Sequence, residues 1–198
     1  MNKTLLVVLA TIVGVIVLMG IALGGIYNNL VQNDEAVKSA WAQVENVYQR
    51  RLDLIPNLVE TVKGYAAHER ETLQRVIEAR AKVSQINVTP AVIDQPGAFS
   101  QFQTAQNSLS SALSRLMVVV ERYPDLKANA NFLELQAQLE GTENRIAVER
   151  KRYNDVAQNF NTLRRIFPNV LVANFMNFPE KSYFKAEEGA SKSPIVKF

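Results

Sequence analysis

Residues 41–71 read WAQVENVYQRRLDLIPNLVETVKGYAAHERE, an amphipathic stretch with an Arg pair and a Pro in its middle. Followed in both directions, its apolar positions recur at alternating steps of three and four: Leu30, Val37, Trp41, Val44, Tyr48, Ile55, Leu58, Val62, Tyr65, Val76, Ala79, Val83 and Ile86. That spacing holds one stripe on the face of a helix and does not fit the period of two of a strand. It predicts one long helix over residues 27–86, packed on other helices and either continuous with the stretch before it or broken near Gly24-Gly25. The same phase lands on Asp34, Arg51, Glu69 and Thr72, which break the seam. Pro56 lies inside the helix, where a missing N–H costs about 3 kcal/mol and frees the carbonyl of Leu52, so a kink is predicted there.

Upstream, the chain carries no charge between Lys3 and Asp34, and residues 4–26 are almost wholly apolar. About 20 such residues span a bilayer core. The competing reading is a cleaved signal peptide, with Ala22 and Gly24 in a small-x-small pattern. The apolar core is longer than the roughly 7–15 residues of a signal peptide, which favours a retained single-pass anchor. Gly20 with Gly24, and Ala10 with Gly14, are small residues at a spacing that lets membrane helices approach closely, but Gly is frequent in such helices anyway, which favours chance as the explanation. Lys3 on one side and Lys38 on the other nearly balance, with a slight lean to an N-terminus inside.

Downstream, residues 87–97 (NVTPAVIDQPG) form a turn region with two Pro and a Gly. A second periodic run, from Phe99 to Tyr123, stops at Pro124. A third runs from Phe132 to Phe167 and ends at Pro168, with Asn131 as its expected N-cap and Glu134 as a capping-box partner. Phe175, Phe178, Tyr183 and Phe184 are too many large apolar groups for a solvated tail and are expected to cover the bundle. The fold class that follows is all-α: an N-terminal transmembrane helix, then an antiparallel bundle of three long helices with a short C-terminal helical segment. The expected divisions are a short tail at 1–3, the membrane helix at 4–26, the bundle at 27–186 and a partly mobile tail at 187–198.

Little in the chain points to chemistry. With a net charge of +3 and interleaved acids and bases, there is no nucleic-acid-binding face. The absence of Cys excludes disulfides, thiol chemistry and a lipoprotein anchor. His68 is the only His, too few for a zinc site, and reads as a surface residue. No phosphate-binding Gly-rich motif occurs. The reading is therefore no catalytic residue, no metal, no cofactor and no evident small-molecule substrate. For the charges in the seam, chiefly Arg51, Glu69 and Glu149, two readings stand. The favoured one has the seam turn locally to solvent with the side-chain stems covering apolar surface. The other has buried pairs fixing register.

Lengths generate a further expectation. A first helix of roughly 90 Å outlasts a second of about 40 Å and a third of about 55 Å. Its membrane-proximal half would then lack a partner from its own chain. Leu30, Val37, Trp41, Val44 and Tyr48 are accordingly expected to form the interface of a homo-oligomer, with Trp41 as its anchor, and Arg51, Pro56 and Glu69 to set kink and register.

The block YNNLVQNDEAVKSAWAQVENVYQRRLDLIPNLVETVKGYAAHERETLQRVIEAR, residues 27–80, resembles the LemA family of bacterial membrane proteins. So do NRIAVERKRYNDVAQNFNTLRRIFP (144–168), PEKSYF (179–184) and PIVKF (194–198), with Phe160 standing where the family pattern suggests Tyr. The resemblance implies a membrane helix followed by a helical bundle in the bacterial inner membrane, drawn with the bundle in the cytoplasm, and no enzymatic activity. Two functions remain open. One is a non-enzymatic, membrane-anchored scaffold that binds its own copies or other proteins, with the lipid bilayer as a partner. The other is an accessory or sensor for a membrane enzyme, such as the membrane metalloproteases with which the family is associated.

Overall fold

The computed structural model describes residues 3–86 and 89–185. Helix α1 spans Lys3–Tyr65, 63 residues, or about 95 Å at the helical rise. It is followed by α2 (Arg70–Gln85), a 3₁₀ turn (Pro90–Asp94), α3 (Pro96–Val120), α4 (Pro124–Lys127), α5 (Ala130–Arg165) and α6 (Asn169–Phe175). Pro opens α3 and α4 at the first turn, where no N–H is needed. The N-cap of α5 is Asn129, whose side chain accepts from the Phe132 N–H at 3.0 Å; the expected cap at Asn131 lies within the helix.

The long first helix of the sequence reading is two helices. The chain turns over residues 66–69, and α2 comes back along α1. No Pro marks this turn, and the apolar phase continues across it. The turn is held from outside: Glu69 accepts from Arg122 at 2.9 Å and from the Tyr123 hydroxyl at 3.0 Å, while Asn129 donates to the Tyr65 hydroxyl at 2.9 Å. Because α2 ends near the middle of α1, α3 starts beside Trp41 and runs away from the anchor, parallel to α1. Phe99 and Phe102 pack on Trp41, and Arg122 reaches Glu69. Helix α5 then runs antiparallel to α1 from its distal end back to the anchor. Tyr65 faces Asn129, Arg51 faces Glu143 and Trp41 faces Tyr153. The result is a bundle of α1, α2, α3 and α5.

Its interior has two ends. In the distal one, Ile55, Leu58 and Val62 of α1 pack with Leu73, Val76 and Val83 of α2, with Leu109, Leu116 and Val120 of α3, and with Phe132 and Leu139 of α5. In the proximal one, Leu30, Val37, Trp41, Val44 and Tyr48 pack with Phe99 and Phe102 of α3 and Ile146, Tyr153 and Phe160 of α5. Val92 and Ile93 of the 3₁₀ turn, Val172 and Ala173 of α6, and Phe184 close this end. The buried residues Phe132, Leu139, Ile146, Tyr153 and Phe160 repeat every seven, which keeps one face of α5 on the core along its whole length. Residues 4–25 of α1 are all exposed, and none of them is buried by the other described residues. The expected tail at 187–198, most of that at 1–3, Asn87 and the PIVKF stretch lie outside the described residues.

Helix α1 continues through Pro56. The Leu52 carbonyl that Pro56 leaves without its helical donor accepts from Arg80 Nε at 3.1 Å. The proline defect is thus a docking point for α2. Arg80→Met is expected to cost about 1–3 kcal/mol in urea unfolding, the penalty of a buried carbonyl left unpaired. In a Pro56→Ala background, where an amide N–H returns to that carbonyl, the cost is expected to shrink. Strict additivity of the two substitutions would show that Arg80 does not compensate for the proline.

Candidate functional site

Arg51 occupies a core position of α1 and is 1% exposed. Its guanidinium donates to Ser110 Oγ at 2.8 Å, to Glu143 Oε1 at 2.6 Å and to Gln106 Oε1, and lies 5.1 Å from the centre of the Tyr48 ring. One side chain thereby ties α1 to α3 and α5 at the boundary between the two ends of the core. A planar fork of donors is suited to this role, since it serves partners on two helices at once. Here the sequence expectation of a seam turning to solvent is corrected: Arg51 is a buried cross-link. Glu69 is half-buried and paired as described above. Glu149 is half-buried, with Oε2 unpartnered and 3.9 Å from Arg152.

A second polar cluster sits at the anchor end. Lys181 is 2% exposed, and its Nζ lies 2.6 Å from Asp34 Oδ1 and 2.6 Å from Asp94 Oδ1. Asp34 also meets Lys38 at 2.8 Å. Burial pushes the Asp34 carboxyl up, but hydrogen bonds and charge from Lys181 and Lys38 outweigh it and hold the group below its ordinary 3.8. Lys38 is raised, chiefly by its bonds to Asp34 and Glu35. The cluster joins α1, the 3₁₀ turn and the extended segment after α6.

That extended segment is fastened by two amides. Asn161 donates to the Lys181 carbonyl and accepts from the Lys181 N–H, both at 2.9 Å. Asn154 does the same with Phe184, both at 3.0 Å. The Tyr153 hydroxyl donates to the Ser182 carbonyl at 2.8 Å, and the Ser182 N–H donates to the Ile93 carbonyl at 2.9 Å. Asn154 and Asn161 are seven apart on α5 and so share a face, and they bound the stretch NDVAQNFN. Sequence reasoning passed over them because amides on a helix read as solvated. The available signal was their spacing, in phase with buried Ile146, Tyr153 and Phe160.

The clamp carries Phe184 onto Trp41, their ring centres 6.0 Å apart and nearly parallel. Phe99, Phe102 and Tyr153 complete the cage at 5.4–5.8 Å. Leu30, Val37, Trp41 and Val44 are 0% exposed and Tyr48 2%. The expected interface for other copies is therefore interior surface covered by its own chain. The reason is topological: the turn at 66–69 sends α3 outward from Trp41, so α5 returns over the proximal half that a two-way path would have left bare.

Among the described residues no three of His, Cys, Asp and Glu converge, and His68 is exposed. A groove of about 390 Å³ opens between α1, α2 and α3, lined in part by Glu45, Tyr48, Arg80 and Gln106. Burial pushes the Glu45 carboxyl up, partly opposed by Trp41, whose Nε1 closes no normal hydrogen bond.

The sequence model of the LemA family matches residues 40–198. The chain belongs to the LemA family. The match takes in Trp41, Arg51, the Asn154–Asn161 clamp and its target segment. Similar proteins include Protein LemA of Metamycoplasma hominis, 25% identical over 161 residues, covering 81% of this chain and 69% of the relative. Magnetosome protein MamQ 2 of Paramagnetospirillum magneticum is 26% identical over 186 residues, with 86% and 68% covered. Magnetosome protein MamQ of Magnetospirillum gryphiswaldense is 25% identical over the same length and shares.

The chain holds a single Trp, so its emission reports Trp41 directly. Asn154→Ala and Asn161→Ala are each expected to cost about 1–3 kcal/mol by leaving backbone groups of the segment unpaired. Together they are expected to red-shift Trp41 emission while far-ultraviolet circular dichroism keeps its helical signal. Unshifted emission in the double variant would mean that Phe184 is held by other contacts.

Acid stability tests the Asp34 cluster. The folded carboxyl titrates below the unfolded one, so its contribution is full above the ordinary 3.8 and is lost as pH falls through the folded value. Asp34→Asn is expected to lower stability at neutral pH and to flatten the acid limb of a denaturation series. An acid limb as steep as that of the wild type would contradict this assignment.

Proposed function

We propose that the chain is a non-enzymatic, single-pass protein of the bacterial inner membrane that presents a rigid helical bundle for interaction with other proteins. One observation carries the reading: α1 is a single helix whose exposed residues 4–25 are apolar enough to span a bilayer and whose remainder is the central stave of the bundle. A span without charge, uncovered by protein, is stable in lipid and costly in water. Family membership and relatives named LemA and MamQ support the same reading. Arg51 and Lys181, the two buried cations, each join α1 to other parts of the chain, which suits a scaffold.

Self-association is part of the proposal, and with the Leu30–Tyr48 stripe covered, the surface it would use lies elsewhere. Gly14, Gly20 and Gly24 have nothing packed against them and leave the anchor able to approach another helix closely. The accessory role beside a membrane enzyme makes a different demand, a partner in fixed stoichiometry.

Carbonate-washed membranes are expected to retain the protein with its N-terminus intact. A soluble species beginning at Gly25 would overturn the anchor. Recovery of tagged chain with untagged chain from detergent supports the self-associating scaffold, whereas a stoichiometric membrane enzyme in the eluate favours the accessory role.

A further inference from the structure

The turn after α5 and the outer face of α6 expose a run of large apolar side chains that the bundle does not use. Phe167 is 80% exposed and Phe175 84%, with Ile166, Leu171 and Met176 each at least half exposed. Elsewhere among the described bundle residues, exposed apolar groups such as Ile77, Val118, Leu133 and Val148 are scattered along different helices. Scattered single residues need no explanation, but a contiguous patch does.

The position of the patch identifies its occupant. Helix α6 turns Val172 and Ala173 inward and leaves Leu171 and Phe175 facing outward. Leu171, Phe175 and Met176 line one open concavity of about 560 Å³ together with Leu23, Gly24 and Tyr27 of α1. The Tyr27 ring lies 6.0 Å from that of Phe178, just beyond α6. Counted from Thr4, the roughly 20 residues that cross a hydrocarbon core end near Leu23. The first charge after Lys3 is Asp34, about 16 Å further along the helix. The outward face of α6 therefore abuts the anchor where it leaves the bilayer, and its apolar surface is continuous with the lipid-facing surface of the anchor.

We propose that α6 and the adjoining Ile166–Phe167 turn are a second membrane contact, a collar inserted among the lipids around the exit of the anchor. The inference rests on the anchor reading above and adds that the bundle is seated on the membrane rather than held away from it. Apolar faces of this kind enter about 5–10 Å into the boundary between headgroups and acyl chains. Because α6 packs on both α1 and α5, its insertion fixes the tilt of the bundle. The Asn161–Lys181 clamp follows directly and ties that tilt to the core. The ligand is the lipid surface itself, and apolar burial is the driving interaction, so anionic headgroups are not required.

The chain contains no Cys, so single labelling sites can be introduced without background. Full-length Leu171→Cys, Phe175→Cys, Val15→Cys and Val118→Cys variants would each carry an environment-sensitive fluorophore. They would be reconstituted in phosphatidylcholine vesicles containing lipids brominated on the acyl chains, at low protein-to-lipid ratio. Circular dichroism checks that each variant is folded. The expected result is strong quenching at Val15, substantial quenching with blue-shifted emission at Leu171 and Phe175, and neither effect at Val118. Quenching at Val15 with Leu171 and Phe175 no different from Val118 would overturn the collar and leave the anchor standing. No quenching at Val15 would overturn the anchor and the collar with it. Shielding at Leu171 and Phe175 that rises with protein concentration and is indifferent to brominated lipid would assign the patch to a second copy of the chain and also overturn the proposal.

Discussion

An extended segment lying against helices has no neighbouring strand to pair with, and its backbone N–H and C=O groups cannot be buried unpaired without penalty. In this protein Asn154 and Asn161 meet that constraint, each amide serving as donor and acceptor to one residue of the segment. Much of the proximal end depends on it. The segment brings Phe184 onto Trp41 and Lys181 between Asp34 and Asp94. Without it, the aromatic cage around Trp41 would lose a wall, Asp94 would lose its cation and Asp34 would keep only Lys38.

The charged residues that interrupt the apolar seam are part of the same economy. Arg51 and Lys181 are almost fully buried, and each is bonded to at least two other chain segments. Buried pairs add little net stability because desolvation offsets their attraction. What they do impose is discrimination, since shifting a helix by one turn would strand a buried cation. Arg51 sets α1 against α3 and α5 in the middle of the bundle, and Lys181 sets α1 against the C-terminal segment near the anchor. Pro56 belongs with them, because the carbonyl it leaves free is taken by Arg80 of α2. Asp34, Arg51 and Pro56, three local irregularities in α1, thus become three points of registration.

The helix that carries the exposed apolar stretch also carries these registration points. Membrane-spanning length and core-forming length are continuous in α1, with no flexible joint between them. A bundle built on such a stave transmits position along about 60 Å beyond its apolar segment, as far as the turn at 66–69. The proposed role in interaction is served by this arrangement, because the stave links the orientation of the distal surface to that of the apolar end of α1.

From the sequence alone came the all-α class, the apolar stretch at 4–26, the buried faces of the helices and the resemblance to the LemA family, because these are local properties. A seven-residue apolar repeat and a long uncharged run mean the same thing whatever the rest of the chain does. The path of the chain was not local. The stripe ending in Tyr65 and the one resuming at Val76 share a phase, so nothing periodic marked the reversal between them. It exists because Glu69 and Tyr65 find Arg122, Tyr123 and Asn129, residues more than 50 positions away. From that one turn follow the direction of α3, the reach of α5 and the enclosure of Trp41, which a stripe by itself cannot distinguish from an interface. Asn154, Asn161 and Lys181 were equally illegible, since a polar side chain declares its burial only when a partner from elsewhere in the chain arrives. Periodicity states which face of a helix avoids water, and tertiary structure decides what covers it.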